Sequence, residues 1–461
     1  MHLKDQRDVL KNPWRLQVQE LDQSPRLLPA GTSIAQVYDE ADGELFILGE
    51  PGAGKTTLLL ELARTLLERA EREKSIRIPV VFNLSSWATT YQSLDKWIEK
   101  ELEAKYQIYR TWQEKFFDFF SRITHPFNTG HVRIISEQII PLLDGLDEVA
   151  ENMRPACVQA INTYYQHRLE KGAAPMVICS RSEEYMALPA RINLSRVVTI
   201  QPLTDDQIEH YLQSAQGQLE GLQDALQNDA ELYELAHRPL MLNILTLAYR
   251  ATAPENFPTK GAREVLQRQV FSTYVERMLT RRGISRNFSP EQAVQWLTFL
   301  AKQMQRHHQS IFYLENMEPD WLGNKLSMYR LSVGLIGGLS IGLTVGLLTQ
   351  LPHELLVIPG IESGIGPITG VIIGALSGLI AGIFFALTYG SGYDILGSFG
   401  NLFQYFFLRF WLWHANYFPR NPVSFLDEAV ERLLLRKVGG GYIFIHRLLL
   451  DYFASLEKKE I

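Results

Sequence analysis

The stretch Gly49–Thr56, GEPGAGKT, restricts the fold of this chain more than any other. Gly49, Glu50, Pro51, Gly52, Ala53 and Gly54 make a loop poor in bulk that runs into Lys55, Thr56 and Thr57. Backbone N–H groups must converge on an anion without obstruction by side chains, and a helix N-terminus adds partial positive charge; this pattern therefore points to phosphate binding. Lys55 falls where a cation reaches phosphates, and Thr56 where a hydroxyl holds Mg²⁺, provided that a strand precedes the loop and a helix follows. Both conditions are met. Glu44–Leu48 (ELFIL) is an apolar run bounded by Asp42 and Gly43 and reads as a buried strand. Thr57–Arg72 carries Leu58, Leu59, Leu62, Leu66 and Ala70 at helical spacing.

A second stretch complements the first. Ile139–Val149 (IIPLLDGLDEV) is an apolar strand that delivers Asp144 at its end, where a carboxylate can hold Mg²⁺ opposite Thr56. Asp147 and Glu148 follow, placed to accept a proton from an attacking water or to orient it. Ile78–Leu84, Met176–Ser180 and Val197–Ile200 read as further strands, and Arg181, at the tip of one of them, can reach a γ-phosphate. Alternation with helical stretches such as Leu94–Tyr106 and Pro155–Lys171 predicts an α/β fold, a parallel sheet with helices on both faces.

Composition narrows the class. Apolar content of 46% and charged content of 21% over 461 residues describe a folded chain with room for two or three domains. A net charge of −6 gives no reason to expect non-specific nucleic-acid binding. Cys157 and Cys179 are too few for a metal knuckle or a disulfide framework, which favours a reduced, intracellular setting. The first residues, MHLKDQRDVLKNPW, are charged and lack the apolar core of a secretory signal.

The average conceals a sharp change near residue 331. Leu331–Leu351 and Gly364–Tyr389 contain no charged residue, and each approaches the roughly twenty residues that a helix needs to cross a bilayer core. The linker between them carries Glu354 and Glu362 but neither Lys nor Arg, whereas Lys325, Arg330 and Arg409 flank the pair. By the positive-inside tendency both ends are cytoplasmic and the loop lies outside. Gly338, Gly342 and Gly346 recur at i, i+4 spacing in the first segment, as do Gly370, Gly374, Gly378 and Gly382 in the second. Such stripes disfavour a soluble helix but let two helices approach closely in lipid, so a membrane hairpin is expected rather than a buried pair in a soluble core.

Together, GEPGAGKTT, IPVVFNLSSWA, PLLDGLDEVA, ICSRSEEY, QPLTDDQIEHYL and HRPLMLNILTLAYR resemble a bacterial NACHT domain, a branch of the signal-transduction ATPases with numerous domains that is related to the animal NOD-like receptors. The resemblance runs from about Asn12 to Leu322. It implies ATP or ADP and Mg²⁺ as ligands, Arg181 as the sensor arginine, and Pro239 as a residue packed on the adenine. YIFIHRLLLDYFA (Tyr442–Ala454) resembles the family's winged-helix segment, which implies that His446 touches the β-phosphate of ADP. Such relatives usually carry a signalling domain before this module and repeats after it; no repeat of fixed period is present here, and Lys115–Arg133 reads as extra sequence before the Asp144 strand.

The organisation expected is therefore a lead-in over 1–40, a P-loop NTPase core over 41–203, a helical domain over 204–325, a transmembrane hairpin over 331–389, and a winged-helix-like segment over 400–461. The expected function is a multi-pass cell-membrane NTPase with its catalytic domain in the cytoplasm. It would bind nucleotide and the lipid bilayer, self-associate on exchange of ADP for ATP, reset by slow hydrolysis, and serve signalling or defence as the relatives do. One alternative is a transport or remodelling ATPase, although uncharged helices offer no evident substrate path. A non-catalytic nucleotide-binding scaffold is another, against which Asp144, Asp147 and Glu148 argue.

Overall fold

The computed structural model describes residues 14–20, 24–29, 31–73, 77–87, 93–106, 139–172, 175–214, 218–250, 257, 262–283, 285, 287–307, 309–348, 367–388, 397–438 and 440–456. The expected extra sequence at 115–133 and the linker with Glu354 and Glu362 lie outside these residues.

The first half is built as strands β1 (Arg15–Glu20) and β2 (Arg26–Leu27), helix α1 (Ile34–Glu40), β3 (Glu44–Gly49), α2 (Lys55–Glu73), β4 (Ile78–Asn83), α3 (Leu94–Tyr106), β5 (Ile139–Asp144), α4 (Arg154–Glu170), β6 (Met176–Arg181), α5 (Ser182–Met186) and β7 (Arg196–Gln201). They form a 7-stranded sheet in the order β2-β1-β7-β3-β6-β5-β4. The strands from β3 to β7 pair in parallel, as their helical crossovers require. Here the structure corrects the wholly parallel sheet expected from the sequence: β1 runs antiparallel to both β7 and β2, so the stretch before residue 41 extends the sheet. β1 and β2 are joined by a short connection, which suits an antiparallel pair and is too short for the helical crossover that would impose parallel pairing on β1. Its alternation, RLQVQE, buries Leu16 and Val18 and leaves the polar residues between them for the other face.

The same period of two divides the core. Leu45 and Ile47 of β3 pack with Val37, Leu58, Leu62 and Val198 on one face, while Phe46 and Leu48 pack with Phe82, Trp97, Ile161 and Ile178 on the other. Both faces of the sheet are therefore covered, which accounts for the near-continuous apolar runs in β3, β5 and β6.

After the sheet come α6 (Asp205–Gln213), α7 (Glu220–Asn228), α8 (Ala230–Ala236), α9 (Pro239–Tyr249), α10 (Arg263–Thr280) and α11 (Pro290–Arg306). Capping boxes at Thr204–Gln207 and Ser289–Gln292 set the starts of α6 and α11. Then follow α12 (Leu326–Leu348), α13 (Pro367–Thr388), α14 (Gly397–His414), α15 (Pro422–Glu431), the hairpin β8 (Leu435–Val438) and β9 (Gly441–Phe444), and α16 (Arg447–Ser455). Residues the sequence divides between a helical domain and a C-terminal segment share one hydrophobic core: Leu266, Tyr274, Leu297 and Trp321 pack in the same cluster as Phe425, Leu434, Phe444 and Phe453. Polar ties reinforce it. The Tyr274 hydroxyl donates to the Leu433 carbonyl at 2.7 Å, Arg432 donates to the carbonyls of Leu279 and Gly283, and Phe312 and Tyr442 exchange backbone hydrogen bonds at 2.8 Å.

Helices α12 and α13 leave this body as an antiparallel pair with glycine on the inside. A Cβ on Gly378 would lie 2.7 Å from the Gly338 carbonyl oxygen and 3.0 Å from the Gly342 Cα; one on Gly374 would lie 2.7 Å from the Gly342 carbonyl oxygen. Backbone therefore touches backbone, and no side chain fits between. The large residues point the other way: Leu335, Leu339 and Leu343 are 62%, 58% and 65% exposed, and Leu379 and Ile380 62% and 67%. Residues 319–347, which include most of α12, are long and apolar enough to cross a membrane. Gly378→Leu should lower the Tm of the chain, at a cost of about 1–3 kcal/mol or more because backbone must move. Leu379→Ala, which faces outward, should leave it within about 0.5 kcal/mol of the parent. Thermal denaturation of the two variants side by side checks this, and equal losses would refute the glycine contact.

Candidate functional site

The C-terminal ends of β3, β4, β5 and β6 converge on the loop at Gly49–Thr56, and the register decides which side chains meet. Gly49 lies opposite Arg181, and Asn83 opposite Asp144. Gly52 and Gly54 have φ of +79° and +98°, left-handed conformations that a side chain would strain. Both glycines are also crowded. A Cβ on Gly52 would sit 3.0 Å from Leu240 Cβ, and one on Gly54 would collide with the Trp14 ring. Ala53 is buried, with its N–H donated to the Glu50 carbonyl at 3.1 Å, which tightens the loop. Lys55 opens α2, so the N–H groups of its first turn, including Thr56 and Thr57, have no acceptor within the helix and face the loop's concavity.

The Lys55 ammonium donates to the carbonyls of Gly49 (2.9 Å) and Glu50 (3.0 Å), and burial lowers its pKa. Thr56 Oγ1 donates to Asp144 Oδ2 at 2.7 Å. Burial pushes the Asp144 carboxyl up, and the Thr56 hydrogen bond acts in the opposite sense. A hydroxyl beside a carboxylate is a hard-oxygen pair suited to Mg²⁺, which keeps most of its other positions for water and phosphate oxygen. Thr56 and Asp144 would hold the ion, and its charge would offset that of the phosphates.

Beyond Asp144 the chain turns at Gly145, in the left-handed region at φ 77°. Arg154 clamps that turn by donating to the carbonyls of Asp147 (2.7 Å) and Val149 (2.9 Å). The sequence puts Asp147 and Glu148 in one role; the structure separates them. Asp147 receives the Arg181 side chain at 2.8 Å and the Arg181 N–H at 3.1 Å. Glu184 holds the same guanidinium at 3.1 Å. Glu148 instead accepts a bond from Asn83 Nδ2 at 3.3 Å, and burial raises its pKa to about 7. The Arg447 guanidinium, from α16, pulls in the opposite direction. Glu148 is thus the group poised to take a proton near neutral pH, and Asp147 positions Arg181.

Elements far along the chain complete the surroundings. Pro239 is the first residue of α9; next to it the Leu240 N–H donates to the Gly52 carbonyl at 3.2 Å, and Arg238 pairs with Glu50 at 2.9 Å. His446 precedes α16, and burial lowers its pKa to about 4, so the imidazole is neutral at pH 7. From the same helix, Asp451 acts electrostatically on Arg181. Trp14, Asn83, Arg154 and Arg238 were not singled out in the sequence. Asn83 alone had a local signal, as a polar residue that ends an apolar strand beside the Asp144 strand.

The profile of the NACHT domain matches residues 44–217. Residues 44–217 are a NACHT domain. This domain is a P-loop NTPase, and the match begins at the first residue of β3 and extends past β7. No curated protein matches the chain. Among solved structures, the chain is similar to the Aeropyrum pernix ORC1 protein in complex with DNA, at 14% identity over 92% of this chain and 90% of that one, with a TM-score of 0.33. It is also similar to the Aeropyrum pernix ORC2 protein in ADPNP–ADP complexes, at 12% identity over 64% and 78% of the two chains, TM-score 0.31. A third similarity is to C. elegans PCH-2, at 17% identity over 52% and 61%, TM-score 0.20.

Two outcomes follow for the NACHT domain. Lys55→Ala should abolish ATP binding measured by calorimetry, because it removes the cation at the loop. Glu148→Gln should retain ATP binding and slow hydrolysis by roughly 10²–10⁴-fold. The same variant has a signature in stability. The fold holds Glu148 neutral up to about pH 7 against an ordinary value of 4.5, so this contribution is fully present below pH 4.5 and is lost as pH rises through 7. Glutamine stays neutral throughout. Glu148→Gln should therefore gain up to about 3 kcal/mol over the parent above pH 8 and little below pH 5, read from Tm against pH without nucleotide.

Proposed function

We propose that the chain is a membrane-attached nucleotide switch of the signalling or defence kind, in which the NACHT domain closes on ADP, opens and self-associates on ATP, and resets by slow hydrolysis. The observation that carries this reading is the closure of the phosphate loop by parts of the chain outside the sheet. Leu240 of α9 and Arg238 just before it bind the loop, while Arg447 and Asp451 of α16 act on Glu148 and Arg181. A γ-phosphate arriving at Lys55 and Arg181 adds charge where Asp147 now satisfies the arginine. Arg181 must then divide its hydrogen bonds, and a shift of this kind biases α16 and the core it belongs to. His446 and Pro239 are assigned to the nucleotide pocket as residues of that closed state, with the β8–β9 hairpin and α16 acting as a winged-helix-like lid.

Membrane attachment rests on α12 and α13. A helix pair that meets through glycine and, beyond Tyr329 and Val333 at its base, presents leucine, isoleucine and valine outward is stable where the surroundings are as apolar as the side chains. Lys325, Arg330 and Arg409 lie at the ends of the two apolar segments, and this positive charge supports a cytoplasmic side for the NACHT domain.

Two measurements test the proposal. Sizing of the detergent-solubilised chain should give a small particle with ADP and Mg²⁺ and a larger assembly with a non-hydrolysable ATP analogue; the same size in both would refute nucleotide-driven assembly. Carbonate extraction of expressing cells should leave the chain in the membrane pellet, and its release would refute the hairpin.

A further inference from the structure

Helix α14 has one face in the shared core and another that nothing covers among the described residues. Leu408 and Leu412 are 1% exposed, whereas Phe406, Phe410 and Trp413, at i, i+4 and i+7, are 70%, 46% and 42% exposed. A soluble helix of this kind would carry polar residues on the open side. Here that side is aromatic and edged with arginine: the Arg420 guanidinium lies 5.5 Å over the Trp413 ring, and the Arg409 guanidinium 5.4 Å over Tyr405. Arg409 Nη2 also donates to the Arg420 carbonyl at 3.3 Å, which holds the two cations on one side of the helix end.

The aromatic face continues a second apolar surface. Trp411 Nε1 donates to Ser332 Oγ of α12 at 2.9 Å, next to Leu331, which is 66% exposed. This bond sets α14 against the base of the hairpin. The base is itself basic: Lys325 lies 5.8 Å over the Tyr417 ring, and Arg330 keeps a buried Nε without a hydrogen-bond partner among the described residues. Between residues 405 and 426 the charged side chains are Arg409 and Arg420, with no carboxylate. Rings at the boundary between apolar and polar surroundings, with guanidinium groups beside them, match the headgroup layer of a bilayer: the rings lie among glycerol and acyl carbons, and the arginines take phosphate oxygens in pairs.

We propose that Phe406, Phe410 and Trp413 of α14 lie in the cytoplasmic interface of the membrane and that Arg409 and Arg420 beside them bind the headgroups of anionic phospholipids. The proposal rests on the hairpin reading of α12 and α13 and extends it from an anchor to a surface that distinguishes lipids. Placed there, α14 also fixes how the shared core stands relative to the membrane, since Leu408 and Leu412 are packed into that core.

The experiment uses the full chain in nanodiscs of phosphatidylcholine with or without phosphatidylserine. A polarity-sensitive dye on Trp413→Cys reports the interface, since Cys157 and Cys179 are buried. The dye should be blue-shifted and shielded from aqueous iodide. In detergent, phosphatidylserine should bind the parent more tightly than Arg409→Gln/Arg420→Gln by roughly fivefold for each arginine, since each contributes about 1 kcal/mol near an anionic surface. A chain that does not enter the discs would overturn the hairpin and this proposal together. Entry with a dye as wet as one on exposed Glu220→Cys would overturn this proposal alone. Equal phosphatidylserine binding by parent and double variant would overturn the role of the arginines.

Discussion

Backbone pairing of β3 with β6, and of β4 with β5, puts Gly49 beside Arg181 and Asn83 beside Asp144. The contacts among the acids, Thr56, Asn83 and Arg181 follow from that register. Thr56 reaches Asp144 because α2 starts where β3 ends; Asp147 reaches Arg181 because the turn after β5 bends toward β6; Glu148 reaches Asn83 because β4 is the neighbour on the other side. A slip by one residue would turn Asp144 to the opposite face and bury a carboxylate among the leucines of the sheet. Covering both faces makes such a slip costly, so the core that stabilises the sheet also positions the chemistry.

Within the site, similar side chains act differently because their surroundings differ. Asp147 is satisfied by a guanidinium and a backbone N–H, which fix it next to Arg181. Glu148, one residue on, has an amide for a partner and is buried, which disfavours its charge and brings it near the pH at which a base is most useful. The backbone turn at Gly145 and the Arg154 clamp keep these acids apart.

The C-terminal half adds coupling. The core reaches into the start of α12 at Tyr329 and Val333, beyond which the chain makes the glycine-lined pair of α12 and α13, and α14 rejoins the same core through Leu408 and Leu412. The core that holds α16 also holds the base of α12, through the Trp411–Ser332 bond and the buried Tyr329.

Much of this was legible in the sequence, for local reasons. The loop residues Gly49–Thr56 carry their own chemistry, the strands β3, β5 and β6 are apolar runs that end in functional residues, and the glycine stripes of α12 and α13 recur at helical spacing. Such signals depend on neighbours along the chain, and composition records them. What the sequence did not disclose depends on residues distant in the chain. The antiparallel β1, the division of labour between Asp147 and Glu148, the Asn83 partner, and the merging of residues before and after the hairpin in one core each require knowing which strand lies next to which. The sequence by itself determined that the chain binds phosphate at a strand–helix junction and carries two uncharged, glycine-striped apolar segments. Only the tertiary structure decided which acid is paired and which is left to titrate, because pairing and burial are set by long-range packing, and no local pattern encodes them.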